Sequence, residues 1–166
     1  FVIKSLNKVH MKKIILVLVT VFAFAFMANA QSNAIGLRLG GGSYNGGEIS
    51  YQTALGSSNR LELDFGFGAS KNHTRLYGVA IYQWMWNITG GLNWYAGPGV
   101  SGGLYTYDDS DGFFNVAIGG QIGIEYNFNS IGAPLLVSID ARPMWDFLGD
   151  NPGLGWGAAL GVRYTF

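Results

Sequence analysis

From residue 34 to the end, large apolar side chains alternate with glycine or polar ones. Period two is the signature of a strand with two different faces. Eight stretches carry it. In 34–41, Ile35, Leu37 and Leu39 oppose Gly36, Arg38 and Gly40. In 47–55, Ile49, Tyr51 and Thr53 oppose Glu48, Ser50 and Gln52. In 60–69, Leu61, Leu63, Phe65 and Phe67 oppose Glu62, Asp64, Gly66 and Gly68. The fourth stretch, 75–87, sets Tyr82, Trp84 and Trp86 against Gln83, Met85 and Asn87, while its first half (Tyr77, Val79, Ile81) has no clear polar face and leaves the parity open. Stretches 91–105, 114–127, 135–145 and 155–166 continue the rule, with Asn93, Tyr95, Gln121, Glu125, Ser138, Asp140, Arg142, Arg163 and Thr165 on the polar side. The connections alternate too. Short turns lie at 56–59, 89–90 and 129–134, and a longer acidic loop is expected at 106–113. Lengths of roughly nine to eleven residues suit a tilted bilayer crossing.

Residues 1–30 have a different pattern. Met11 is followed by Lys12 and Lys13, an apolar run over 14–27, then Ala28-Asn29-Ala30. A basic start, an apolar core and a small-x-small end make a secretory signal peptide, with cleavage before Gln31. The alternative, a transmembrane helix, needs roughly 20 apolar residues. Residues 1–10 precede this start and are expected to be an over-extended gene start or a leftover of cloning. The expected organisation is therefore 1–10 extension, 11–30 signal peptide and 31–166 barrel.

Composition narrows the class of the remaining 136 residues. Four of the ten basic residues fall in 1–30, leaving six against ten acidic ones, a net charge of −4. A nucleic-acid binder would carry a basic stripe, so none is expected as a partner. There is no cysteine, which removes disulfides and thiolate chemistry. All 26 glycines lie after residue 35 without a collagen-like period. No later apolar run reaches helix-spanning length, so a membrane setting requires a closed barrel.

A soluble β-sandwich or lipocalin-like barrel also alternates. Its outer face would be rich in Lys; here the polar face is rich in glycine. The other face concentrates aromatics at strand ends: Trp86, Trp94, Tyr126, Tyr164 and Phe166 at one rim, and Phe114, Trp145 and Trp156 at the other. Two such girdles suit membrane interfaces. The expected fold is all-β, an eight-stranded antiparallel up-and-down transmembrane β-barrel, with both termini in the periplasm.

The last residues look like the C-terminal insertion signal of outer-membrane barrels, carried by Gly161, Tyr164 and Phe166, with Ala159 where that signal usually has a polar residue. Three stretches, Tyr82-Gln83-Trp84, 91–97 (Gly-Leu-Asn-Trp-Tyr-Ala-Gly) and Arg142-Pro143-Met144-Trp145, resemble an uncharacterised Bacteroidota branch of the small eight-stranded outer-membrane barrels of Gram-negative bacteria. The resemblance covers 31–166. It implies location and architecture, with lipids, lipopolysaccharide and the barrel-assembly machinery as partners, and brings no characterised activity.

Candidate chemistry sits in two places. Arg38, Glu48, Glu62, Asp64, Glu125, Asp140, Arg142 and Arg163 share the inward face and are expected to form a packed network of ion pairs; an ion path is the alternative reading. The inward glycines (Gly36, Gly40, Gly66, Gly119, Gly123, Gly157) leave room for water on that alternative. At the outer rim, His73, Ser110 and Asp109 are weak candidates for a hydrolase or acyltransferase constellation. The acidic run Asp108-x-x-Asp111 lacks the ligand spacing of a calcium loop. Neither a metal nor a cofactor is expected. Pro98 and Pro143 fall inside strands and mark bulges or rim positions, or a lateral opening for lipid. The expectation is a monomer with a structural or surface-interaction role. A lipid-modifying enzyme and a narrow passive channel are the alternatives.

Overall fold

The computed structural model describes residues 33–42, 46–70, 73–107, 110–148 and 152–166. The expected signal peptide and the expected extension before it lie outside these residues. Eight strands follow in chain order: β1 (Asn33–Gly42), β2 (Gly46–Ala54), β3 (Asn59–Ser70), β4 (His73–Thr89), β5 (Leu92–Tyr107), β6 (Ser110–Asn127), β7 (Leu135–Asp146) and β8 (Gly153–Thr165). Each pairs antiparallel with its neighbours, and β1 pairs with β8, closing the barrel. Backbone bonds in both directions between Asn33 and Phe166, each 2.9 Å, seal the seam at the end that bears the termini.

Register fixes the tilt. The ladder from Trp86 runs through Trp94, Ile124, Ile139, Leu160, Leu39, Gly47 and Phe67 and returns to β4 at Leu76, ten residues from its start. At 3.3 Å per residue and about 4.8 Å between strands, a stagger of ten over eight strands tilts them by roughly 40°. Each residue then climbs about 2.5 Å, so the ten residues from Trp86 to Leu76 span about 25 Å, the height of an outer-membrane apolar band.

The exterior has that character. Leu37, Ile49, Phe65, Ile122, Ile139 and Leu160 are each about half exposed. No aqueous surface tolerates a continuous apolar belt of this extent, and a bilayer solvates it. Trp86 stacks on Trp94 at 4.2 Å, and Tyr164 on Phe166 at 6.3 Å, at the terminal end. Phe114, Trp145 and Trp156 are exposed toward the far end.

The structure differs from the sequence expectations at three points. In β4, Arg75, Tyr77, Val79, Ile81 and Gln83 are all buried, so one parity runs through that strand. The acidic segment expected as a long loop is mostly strand. β5 extends to Tyr107 and β6 starts at Ser110, with Tyr105 opposite Phe113 and Tyr107 opposite Ser110. Once a hairpin is formed, backbone pairing continues past residues of low strand propensity. The third point concerns the prolines. Around Pro98 the β4–β5 ladder skips from Ile81↔Gly99 to Trp84↔Ala96, and around Pro143 the β6–β7 ladder skips from Gly119↔Met144 to Ile122↔Ala141. The strands do not part there: a side chain at Gly97 or Gly119 would strike the Tyr82 or Pro143 carbonyl.

Candidate functional site: the lumen network

All eight inward charged residues expected from the sequence are buried, and they join a single network. Glu62, on β3, is its hub. Its carboxylate accepts hydrogen bonds from Gln52 (2.5 Å), Gln83 (3.2 Å), Gln121 (3.0 Å), Arg142 (3.0 Å) and Arg163 (3.1 Å). Those donors sit on β2, β4, β6, β7 and β8, so one side chain ties six strands together. Arg163 also donates to Ser50 (2.9 Å) and Ser138 (2.8 Å).

Toward the far end lies a second cluster. Arg38 donates to Glu48 at 2.8 Å and forms a forked pair with Asp140. Arg142 reaches Glu48 at 3.2 Å and also pairs with Asp64. Forked guanidinium–carboxylate contacts of this kind are among the stronger hydrogen bonds available. Tyr95 donates to Asp140 (3.4 Å) and Tyr77 to Glu48 (2.8 Å). Toward the terminal end, Arg60 grips Glu125 through two N–H groups at 3.1 and 2.8 Å and donates its Nε hydrogen to Gln83 at 2.7 Å. Gln83 connects that pair to the hub.

Arg60 and Arg75 are inward cations that the sequence reading left out. Both open their expected strands, where they look like rim residues. Parity was the available signal: Arg60 continues Glu62 and Asp64 backward, and Arg75 continues Gln83, Ile81, Val79 and Tyr77. Beside the polar lattice the lumen is partly apolar: Ile81 and Val79 stand opposite Glu62 and Asp64 on the β3–β4 ladder. Tyr77, Val79, Ile81, Ala117 and Met144 form a buried cluster toward the far end.

Several inward glycines are seats for large side chains, which tells against the alternative of water-filled space at those positions. A Cβ on Gly66 would press on the Tyr77 ring, and one on Gly123 on the Tyr95 ring and the Asp140 side chain. Ile81 lies against Gly99 and Met144 against Gly119. Gly161, the glycine of the terminal motif, leaves room for Ser138 and the Arg163 guanidinium. Large and small residues thus interdigitate across the lumen, as a small barrel requires.

The rim candidates are placed by their backbones alone. His73 opens β4 opposite Ser70 and Tyr107, and Ser110 opens β6 opposite the same Tyr107. Both therefore sit in strands rather than in loops. Asp109 lies outside the described residues.

No protein-family model matches the chain, and no curated protein matches it in sequence. Solved structures do. The chain is similar to Neisserial surface protein A (TM-score 0.58, 15% identity, covering 82% of this chain and 95% of that one). It is similar to the N-terminal β-barrel domain of Pseudomonas aeruginosa OprF (TM-score 0.60, 17% identity, 81% and 97%). It is also similar to Ail, the attachment invasion locus protein of Yersinia pestis (TM-score 0.53, 12% identity, 82% and 97%). The fold is therefore that of the small eight-stranded outer-membrane barrels. At these identities the likeness concerns the fold. The Bacteroidota branch remains an expectation from the sequence.

Proposed function

We propose that this protein is a monomeric outer-membrane barrel with a structural or surface-interaction role, its lumen acting as a packed scaffold. The observation that carries this reading is the filled interior. A continuous ion-pair lattice crosses the lumen, and an apolar cluster packs against it and extends toward the far end. A conducting path needs a continuous polar opening, and a catalytic site needs a cleft that admits substrate. The supposed water space above the glycines is taken by Tyr77, Tyr95, Ile81 and Met144, which argues against the narrow channel.

The reading includes export through the 11–30 signal peptide, assembly guided by Gly161, Tyr164 and Phe166, and contact of the far-end girdle with lipopolysaccharide. Both termini face the periplasm. One surface feature supports outward contact: β4, β5 and β6 are 17, 16 and 18 residues long, against 9 to 13 for the others. Their far ends make one side of the outer rim taller. Two of the similar proteins are named for surface location and attachment, and a taller outer wall would suit such a role here. Planar-bilayer recording of the purified protein tests the reading: we expect no unitary conductance, and reproducible channel steps would replace the scaffold by a pore.

A further inference from the structure

The outward apolar surface is not level at its far edge. Along a strand each residue climbs about 2.5 Å, and each step to the next strand on a ladder adds about 3 Å. With Trp86 as zero, the registers place the highest outward apolar side chains of β5, β6 and β8, namely Leu104, Phe114 and Leu154, at about 28, 31 and 28 Å. Phe147, whose N–H donates to the Val116 carbonyl at 2.9 Å, carries the β7 edge to about 29 Å. Across the barrel the edge falls. Leu39 on β1 and Ile49 on β2 stand at about 16 and 14 Å, and Phe67 on β3 at about 22 Å. All seven side chains are at least half exposed. Residues 40–48 contain five glycines and no aliphatic side chain, so the β1–β2 hairpin cannot raise its own edge. The terminal-end edge is flatter. Leu55, Trp86, Trp94, Tyr126, Leu135 and Phe166 lie within about 6 Å of one another in height, and Ile35 and Leu61 begin β1 and β3 slightly higher. Tilting the whole barrel would level the far edge only by tipping the terminal-end one.

We propose that the barrel presents a wedge-shaped surface to lipid, with the far-end leaflet thin against β1 and β2 and thick against β5–β8. The occupant of both faces is the acyl-chain layer, because each face is continuous with the belt that the bilayer solvates. Leu39 follows Leu37 and pairs with Leu160, and Phe114 continues the outward row of Ile118 and Ile122. A level band of about 25 Å would overshoot the β1–β2 face by roughly 10 Å. A bilayer meets a short apolar surface by thinning, and short or disordered chains do so most readily. The opposite face exceeds the band and suits extended chains. The tall side coincides with the long strands β5 and β6, so one hairpin raises both the outer wall and the apolar edge. That the thinned leaflet is the outer one rests on the orientation proposed above.

The chain has no cysteine, so single nitroxide labels can report depth. Val100 on β5 stands at about 18 Å, within one residue's climb of Leu39 on the opposite face. Leu39→Cys and Val100→Cys are spin-labelled in the full chain, in dioleoylphosphatidylcholine vesicles. Depth is read from the access of oxygen relative to a water-soluble nickel chelate. In a level band the two labels would be equally deep. We expect the oxygen-to-nickel ratio to be several-fold higher at Val100. Ile35→Cys and Ile124→Cys, both near 6 Å on the same scale, should agree. Ile49→Cys repeats the shallow reading if Leu39→Cys does not assemble. Equal ratios at Leu39 and Val100 would overturn the proposal. Unequal ratios at Ile35 and Ile124 would overturn it too, because they would mean a tilted barrel in a level band. Spectral broadening at Leu39 that vanishes on dilution with unlabelled chain would place a second copy on that face and overturn its occupation by lipid. These readings do not depend on which way the barrel faces. Orientation is read separately, from labelling of Ser57→Cys by a membrane-impermeant maleimide. Labelling in intact cells would overturn the assignment of the thin side to the outer leaflet even if the depth result stood.

Discussion

Near the terminal end and through the middle of the barrel, inward positions carry Arg60, Glu62, Gln83, Gln121, Glu125 and Arg163. Toward the far end the same parity carries Tyr77, Val79, Ile81, Ala117 and Met144. Both regions are lined by the same antiparallel strands, and the physics of filling differs between them. The polar region holds charges withdrawn from water, each acceptable only while its partners are present. The apolar region is held by contact and shape, which degrade gradually as atoms are removed. One barrel thus contains a brittle layer and a forgiving one. The brittle layer supplies specificity, because Glu62 is satisfied only when β2, β4, β6, β7 and β8 all stand in register.

The sharpest way to break this contrast is to remove the hub. Glu62→Ala strips Arg142 and Arg163 of a shared carboxylate and three glutamines of their acceptor. Removing one partner of a buried pair costs about 3–5 kcal/mol, and urea unfolding in lipid or detergent should show at least that loss. Glu62→Gln keeps the shape, removes the charge and should fall between. A loss below about 1 kcal/mol for Glu62→Ala would mean that water takes over the carboxylate's role and that the layer is not brittle.

In the apolar region, Met144→Ala should cost about 2–5 kcal/mol and Ile81→Val only about 0.5–1.5. The grading is the point: the loss should track the volume removed, with no step. The same variants bear on conduction. Opening the cluster by combining Ile81→Ala with Met144→Ala should not produce a conductance, because the lattice below still fills the lumen.

Gly66→Ala probes the junction of the two regions. A methyl there meets the Tyr77 ring, whose hydroxyl is tied to Glu48 at 2.8 Å. Overpacking of this kind costs about 1–3 kcal/mol. In a double-mutant cycle, Tyr77→Leu should relieve most of the penalty, since it removes the ring and leaves the glycine site open. Simple additivity of the two substitutions would show that Gly66 serves the backbone rather than the ring.

How much of this was legible in the sequence depends on the region. Alternation revealed eight strands because one face must be apolar for lipid and the other polar. It also grouped Arg38, Glu48, Glu62, Asp64, Glu125, Asp140, Arg142 and Arg163 on one face. It failed in the first half of β4, where Tyr77, Val79 and Ile81 point inward while Leu76 and Ala80 face lipid. Both faces are apolar there, so period two leaves no contrast to read. The role of the glycines stayed hidden for a related reason. Pattern alone shows that Gly66 and Gly123 carry no side chain, while the rings of Tyr77 and Tyr95 that occupy the space come from other strands. The hub was illegible as a hub: Glu62 looks like any inward carboxylate until register brings five donors to it.

The smallest expected effect lies beyond both regions, at the rim. His73→Ala and Ser110→Ala should leave insertion unchanged, because each residue opens its strand at the far end, away from the lattice and the apolar cluster. They also separate the scaffold from a lipid-modifying enzyme. A catalytic His73 acting as general base would lose about 10²–10⁴-fold in turnover on substitution. A rim histidine without a catalytic partner would change nothing. Register places His73 and Ser110 on strands that flank β5, each opposite Tyr107, so their backbones are two strands apart and share one rim. That placement is the strongest support the enzyme reading receives. We expect lipid A from cells overexpressing the wild type to match that from a deletion strain by mass spectrometry. A gain or loss of one acyl chain, abolished by His73→Ala, would move the function from the packed lumen to the rim.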